Sequence, residues 1–253
     1  MEITGVLIAS GLILSAIMIS KHTEIGLEKE LIISSVRAFV QLMAVGYLIK
    51  IIFDLKEILF VLLMIFAMIL IASYNSSKRG KGIPNAFWII SLAITIGSLF
   101  TLGSLVLFKV IEPAPRYLIP IAGMIIGNAM NASSLAANRL LSEMKTRRLE
   151  IESSLALGAT SRQAIDLSLK ETIKASMIPT IDSMKMVGII HLPGMMSGII
   201  IAGASPLLAV KYQLVVIYML SSAVSITSMI VGLLSYRQFF TEHHQFILPR
   251  TSE

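Results

Sequence analysis

A few polar and sulfur-containing side chains lie inside the apolar segments of this chain, and these could bind a substrate. His191 precedes Pro193 and Gly194, and Met195 and Met196 follow them. A neutral imidazole can bind iron or zinc, and thioethers suit copper(I) better than iron. Methionine also fills gaps in packed cores, which is the interpretation we favour for both methionines. For His191 two interpretations stay open, a metal ligand or a polar residue that faces a transport path.

Pro193 and Gly194 predict a break in the segment that contains them. Proline removes a backbone donor and glycine adds conformational freedom, so a helix should kink there. Inside a bilayer the freed carbonyl groups must find partners in protein or in a water-filled cavity. Broken helices near the midplane often line transport sites. The alternative is a structural kink between packed helices.

Two further pairs of polar residues could line a path. Arg37 and Gln41 share one helical face, although Arg37 is close enough to its segment's start to reach the membrane surface instead. Asn128 and Asn131 are three residues apart and could line a path or bond between helices. Asp182 lies nine residues before His191, on the opposite face of a continuous helix, so the two should not share an ion. We expect Asp182 to pair with Lys185 near the cytoplasmic boundary, and the adjacent histidines of the tail, His243 and His244, to be solvated.

A polar, helix-favouring stretch interrupts this apolar chain at residues 149–174, with the sequence LEIESSLALGATSRQAIDLSLKETIK. Apolar residues recur within it at three-to-four-residue steps, a pattern typical of an amphipathic helix. Gly158 permits a turn, and Thr160 or Ser161 can cap the helix that follows. The stretch therefore predicts two short helices with an elbow at 158–160. Such an element could be held by a cytosolic partner, or it could lie on the membrane surface.

The composition of the whole chain indicates an integral membrane protein. It is 55% hydrophobic and 14% charged over 253 residues, with a mean hydropathy of +0.83, whereas soluble domains have roughly 25% charged residues. Cysteine is absent, which excludes disulfides and thiolate metal sites. The start of the chain has neither the basic region nor the cleavage site of a signal peptide, so we expect it to be retained as a first span.

Apolar runs of nearly bilayer length predict an all-α fold of about seven membrane-spanning helices in one permease domain, residues 1–253. The expected spans are residues 3–20, 31–53, 58–74, 86–111, 117–137, 184–210 and 212–236, with a cytoplasmic segment at 139–178. Fourteen Lys and Arg residues fall on one set of alternate loops and five on the other. The basic side should be cytoplasmic, which places the N-terminus outside and the C-terminus inside. It also explains the net charge of +6 without a nucleic-acid partner.

Residues 152–164, ESSLALGATSRQA, resemble the coupling loop of ABC transporter permeases. In that loop a glutamate and a glycine six residues later dock into a groove on the ATPase subunit; Glu152 and Gly158 match this spacing. Two serines stand where alanines are usual, and the Leu-Pro that usually follows is missing. The resemblance implies that the residues contacting an ATPase are Glu152, Gly158, Ala159, Thr160, Arg162 and Gln163.

Nearly the whole chain is similar to the Fet-type iron-exporter permeases, which include plant aluminium-tolerance half-transporters. The similarity is clearest in IPIAGMIIGNAM at 119–130 and in residues 178–213. It implies two permease and two ATPase subunits in the cell membrane, linked in bacteria to iron export and oxidative-stress resistance. The ATP and Mg²⁺ would be used by the partner, and no cofactor would be bound by this chain. The sequence agrees in lacking G-x-x-x-x-G-K-[ST], because RGKGIPN has the wrong spacing for a phosphate loop.

Two other classes of function stay open. A secondary transporter or channel would need no ATPase, but an ion-driven carrier usually has paired acidic residues within its spans, where Asp182 is nearly alone. A membrane enzyme would need clustered catalytic side chains. The sequence has neither an H-E-x-x-H nor a G-x-S-x-G pattern.

Overall fold

The structure is a computed structural model that describes residues 3–55, 57–241 and 243–248. Lys56 and Arg250, which entered the count of basic residues, lie outside these ranges. The described residues are helical and contain no strand, only the isolated bridges Val187–His191 and Phe240–Phe246. The chain divides into two compact units, Met1–Glu57 and Ile58–Glu253. The expectation of one permease domain stays a prediction.

The first unit is a pair of helices, α1 at Ile3–His22 and α2 at Glu28–Leu55. The connection between them is held by Ser20. Its hydroxyl donates to Glu28 Oε1 at 3.0 Å and accepts from the Leu27 amide at 3.1 Å. Both helices agree with the predicted spans to within three residues at each end.

The second unit is a helical bundle in which two long helices occupy the centre. Its helices are α3 (Ile58–Arg79), α4 (Ala86–Leu107), α5 (Pro115–Thr146), α6 (Arg148–Ala156), α7 (Ser161–Ala164), α8 (Asp166–Met186), α9 (Gly194–Ile201) and α10 (Pro206–Ser235), with a 3-10 turn at Tyr236–Phe239. Helix α5 packs against α3, α4, α8 and α10, and α10 packs against α4, α8 and α9. The buried face of α5 is rich in alanine, and such small side chains allow close approach of neighbouring helices.

Helices α4 and α10 approach each other closely at Gly97. A Cβ added at Gly97 would overlap the Thr227 hydroxyl and lie 3.2 Å from the Ala223 carbonyl oxygen. The Thr227 hydroxyl donates to the Ala93 carbonyl across this contact at 3.4 Å. Only glycine fits at position 97 without displacement of one helix.

Five of the described helices are long and apolar enough to cross a membrane, and Gly11–His22 forms a shorter apolar segment. The protein is an all-helical, multi-pass membrane protein. The five are Glu28–Phe53, Ile58–Arg79, Ala86–Leu107, Pro115–Thr146 and Pro206–Phe239.

The predicted span at 184–210 is wrong as a helix. Helix α8 ends at Met186, a non-helical segment follows, α9 covers only Gly194–Ile201, and α10 begins at Pro206. Helix α8 packs instead against α5 and α10, with Ser168, Leu169, Thr172 and Ser176 buried. Much of the predicted cytoplasmic segment at 139–178 is helical, because α5 reaches Thr146 and α8 begins at Asp166; its cytoplasmic location stays a prediction. We expected a loop in the first part of α8 because its composition is polar. A helix forms there instead because one face of α8, made mostly of small residues, is buried against its neighbours.

Candidate functional site: the elbow and a polar cavity

The predicted elbow is present between α6 and α7. Helix α6 ends at Ala156, and Gly158 has a φ of +89°, a conformation that side chains rarely adopt. Thr160 caps α7 as expected: its hydroxyl accepts from the Gln163 amide at 3.3 Å, while Gln163 Oε1 accepts from the Thr160 amide at 2.9 Å. This reciprocal capping box defines where the second helix starts.

The apex of the elbow exposes a large apolar side chain, which the sequence analysis overlooked. Leu157, directly before Gly158, is 90% exposed. An apolar residue next to a turn glycine in a polar stretch was the available signal. Two other apolar side chains of the elbow are buried and hold it against the protein: Ile151 is 1% exposed and Ile165 is 0% exposed. The elbow therefore has a fixed inner face and a projecting apolar tip.

A chain of ion pairs connects α5 to the elbow. Glu143, buried near the end of α5, accepts from Arg139 at 2.6 Å and from Arg147 at 2.7 Å. Arg147 also reaches Glu150 at 3.1 Å. The hydrogen bond to Glu143 raises the pKa of Arg147 above its ordinary value. Because Glu143 and Glu150 lie on successive helices, the Arg147 guanidinium joins the end of α5 to the start of α6.

Three other ion pairs lie within the elbow helices or at the start of α8. Glu152, one of the predicted coupling residues, pairs with Arg148 at 2.7 Å within α6. Asp166 accepts from Lys170 at 2.6 Å and lies 3.7 Å from Arg162. The hydrogen bond from Lys170 lowers the pKa of Asp166. Glu152 and Arg162 are both partly exposed and accessible from solvent.

The tail after α10 folds back onto the elbow. The Ser161 hydroxyl and His244 Nδ1 are 2.7 Å apart, and the Arg162 guanidinium lies 5.9 Å from the centre of the Tyr236 ring. His243 and His244 are both exposed, as expected, and His244 in addition makes this one contact through its Nδ1. The contact needs a chain reversal that the Phe240–Phe246 bridge provides and that sequence spacing did not reveal.

A polar cavity of about 160 Å³ lies between α5, α8 and α10. It brings together the two predicted asparagines and several α8 residues that the sequence analysis missed. Its polar lining consists of Asn128, Asn131, Ser176, Thr180 and Ser183. The α8 residues were missed because their segment had been assigned partly to a loop and partly to the boundary of the next span.

A second, wider cavity of about 610 Å³ adjoins the first and shares Asn131, Leu135 and Pro179 with it. It extends toward the end of α3, where Asn75 and Arg79 line it. Pro179 lies inside α8 and has no N–H, so the Ala175 carbonyl lacks the donor that a regular helix would provide. Pro179 therefore borders both cavities. The break predicted at Pro193 and Gly194 is also present, since residues 187–193 are not helical and α9 begins at Gly194.

The remaining predicted path residues lie apart from these cavities. His191 is exposed in the segment between α8 and α9, where its carbonyl accepts from the Gly188 amide at 3.0 Å. Pro193 precedes α9 and Gly194 begins it. Met196 is buried, and Met195 borders an apolar cavity. Among the described residues, no three His, Asp or Glu side chains cluster as a metal site.

Arg37 and Gln41 belong to α2 of the first unit, where both are exposed. Asp182 and Lys185 do approach each other, at 3.8 Å, as expected. They lie in the last two turns of α8, and their expected position near the cytoplasmic boundary stays a prediction.

The described residues form a multi-pass helical bundle with a partly open cavity between α5, α8 and α10. The chain belongs to the uncharacterised protein family UPF0014, which matches residues 3–240. It is 42% identical to the probable iron export permease protein FetB of Escherichia coli, over 94% of this chain and 92% of the relative. It is also 42% identical to the membrane protein YjkA of Bacillus subtilis, over 92% and 93% of the two chains.

A plant relative, ALUMINUM SENSITIVE 3 of Arabidopsis thaliana, is 37% identical over 92% of this chain and 85% of its own length. No solved structure matches the chain. The bacterial relatives are named as a permease and as a membrane protein, and none of these three relatives is named as an enzyme.

Proposed function

We propose that this chain is the permease subunit of an ABC transporter that exports iron or a related metal species. Two copies would pair with two copies of a separate cytosolic ATPase in the cell membrane, and the complex would support metal homeostasis and resistance to oxidative stress. The ATPase would bind ATP and Mg²⁺. The observation that supports this proposal most strongly is the elbow, with its glycine at positive φ, its capped second helix and its exposed Leu157.

The elbow suits the task of transmitting force because both of its ends are attached to helices that border the cavity. Through Arg147 and Glu143 it is joined to α5, which provides Asn128 and Asn131. After α7 it continues into α8, which provides Ser176, Thr180 and Ser183. Movement of the elbow would therefore displace two walls of one cavity.

The choice of cargo rests on the relatives. One relative with 42% identity is named as a probable iron export permease, and a 37% identical plant protein is named for aluminium sensitivity. Both names concern metals. The orientation is taken from the basic residues of the sequence, fourteen of which fall on one set of alternate predicted loops and five on the other.

The proposal is tested by reconstitution. The full chain is purified with a candidate cytosolic ABC ATPase from the same organism and inserted into iron-loaded vesicles. We expect ATP-dependent movement of iron that is absent with the chain alone, and co-purification of the two proteins. Equal transport without ATP or ATPase would contradict the proposal and favour a secondary transporter.

The orientation is tested with single cysteines, because the natural chain contains none. Ala156→Cys lies at the end of α6, and Glu112→Cys lies between α4 and α5, at a site 62% exposed. We expect an impermeant thiol reagent to label Glu112→Cys in intact cells and Ala156→Cys only after lysis. Labelling of both from the same side would overturn the arrangement of spans.

A further inference from the structure

We propose that the 160 Å³ cavity between α5, α8 and α10 is a cation-binding station that uses only neutral oxygen ligands. This proposal rests on the proposed transport function and assigns a binding site within it. It replaces the histidine and methionines near Pro193 as the place where the cargo is held.

The first argument is a count of hydrogen-bond donors around the cavity. Ser176 donates its only hydroxyl proton to the Ile173 carbonyl at 2.8 Å, and Ser183 donates to the Pro179 carbonyl at 2.9 Å. Asn128 directs its amide N–H to the Met124 carbonyl at 2.9 Å. A serine that has donated its proton can only accept, and the Asn128 oxygen is left free to accept. The two serines can therefore only accept from a ligand, whereas Asn128, Asn131 and Thr180 each offer an oxygen together with at least one donor.

The second argument is the freed backbone carbonyl. Pro179 borders the cavity and cannot donate to Ala175, whose carbonyl lies one turn earlier on the same face of α8. In a membrane such a carbonyl needs a partner from protein, water or an ion. The same pattern continues in the wider cavity, where the Asn75 amide donates to the Ile71 carbonyl at 3.0 Å and its oxygen remains an acceptor.

Five side-chain oxygens line this cavity, and the two serine oxygens among them have no proton left to donate, which allows them to coordinate a cation. No charged residue lines the smaller cavity, so any preference there comes from these dipoles. Amide, hydroxyl and carbonyl oxygens are hard ligands that suit oxygen-preferring divalent cations. The volume holds several waters at ~10–15 Å³ each, so the ion can retain part of its hydration shell. Weak, neutral coordination also suits transport, because an ion must leave the site as well as enter it.

Arg79 in the wider cavity is the one nearby feature that would favour an anion. It lies at the end of α3 and is exposed, where water screens its charge. An anionic metal complex would use Arg79, whereas a free cation would not. If the cargo is an anionic metal complex, replacement of Arg79 should weaken its binding. If the cargo is a free cation, replacement of Asn128 should weaken its binding and replacement of Arg79 should not.

The test is titration of the purified full chain, in lipid nanodiscs without ATP or ATPase, with Mn²⁺ followed by electron paramagnetic resonance. Asn128→Asp, which adds a negative charge at nearly constant shape, should tighten Mn²⁺ binding at least about tenfold. Asn128→Leu should weaken it by about tenfold, and Ser183→Ala by a smaller factor. The matched control is Asn85→Asp, in the exposed α3–α4 loop, which should change nothing.

Arg79→Gln should leave Mn²⁺ affinity unchanged or slightly improved. The proposal is overturned if wild-type protein binds no Mn²⁺ at millimolar concentrations, or if Asn128→Asp fails to tighten binding. It is equally overturned if Asn128→Leu and Ser183→Ala, both folded by circular dichroism, bind as wild type does. No ATPase is present in this measurement. A negative result therefore does not contradict ATP-driven transport, and a loss of coupling to the ATPase does not prevent the measurement of Mn²⁺ binding.

Discussion

Leu157→Asp is expected to abolish capture of the ATPase while the chain still inserts and folds. Leu157 is 90% exposed, so the chain by itself loses no packing when it is replaced. Burial of a leucine in a partner's groove contributes about 1.5–3 kcal/mol, equivalent to roughly ten- to hundredfold in affinity. A carboxylate in the same groove adds a desolvation cost, so the loss should reach the upper end of that range or exceed it.

Leu149→Asp is the matched control, because Leu149 is 78% exposed at the other end of α6. It lies about 12 Å from Leu157 along the helix at ~1.5 Å per residue. The measurement is co-purification and ATP-dependent transport for each variant. Normal capture by Leu157→Asp, or equal loss in both variants, would show that the elbow apex is not the docking point.

Gly158→Val should act on the same step through the backbone. No atom lies within 4 Å of an added Cβ at this position, so the substitution meets no steric obstacle. The φ of +89° is nevertheless unfavourable for valine, and the strain of order 1–3 kcal/mol should straighten the turn. Coupling should fall while the free energy of unfolding of the bundle stays almost unchanged.

The second large effect is expected for Gly97→Ala, which should destabilise the bundle itself. The new methyl group would overlap the Thr227 hydroxyl and press on the Ala223 carbonyl at 3.2 Å. Separating α4 and α10 to relieve this overlap would also break the 3.4 Å hydrogen bond from Thr227 to Ala93. Overpacking of this kind costs about 1–3 kcal/mol in free energy of unfolding. Denaturant titration of the purified chain measures the change.

Gly103→Ala in the same helix is the control, because no atom lies within 4 Å of its added Cβ. It should be neutral or stabilising, since alanine favours a helix by about 1 kcal/mol over glycine. Thr227→Ala in the Gly97→Ala background should restore part of the lost stability by removing the overlapping oxygen. Equal stability of the two glycine variants would contradict the α4–α10 contact.

Local sequence signals were sufficient for the elbow. A glycine in a helix-favouring stretch, followed by threonine and then glutamine three residues later, predicts a turn and a cap from neighbouring residues alone. The structure confirms Gly158 and Thr160 in these roles. Leu157 was overlooked because exposure of an apolar side chain depends on which face the fold leaves uncovered.

The route after the elbow could not be predicted in the same way. Residues 166–186 contain charged and hydroxyl side chains, so hydropathy assigned part of them to a loop and moved the span to 184–210. In the structure the hydroxyl face of this helix packs on α5 and α10 and lines the cavity. Hydropathy measures preference for lipid, whereas this helix is placed by contact with other helices.

By itself the sequence determined that this is a helical membrane protein and where most of its spans lie, because both depend on the transfer of apolar segments into lipid. It also determined that a capped elbow interrupts the spans, because the turn and the cap depend on bonds between near neighbours. Only the tertiary structure decided which polar groups meet. Asn128 joins Ser176 and Ser183, His244 reaches Ser161, and Pro179 rather than Pro193 borders the cavity. The physical reason is that each of these contacts joins residues from separate helices, and their meeting depends on how the buried small-residue faces of α5, α8 and α10 pack.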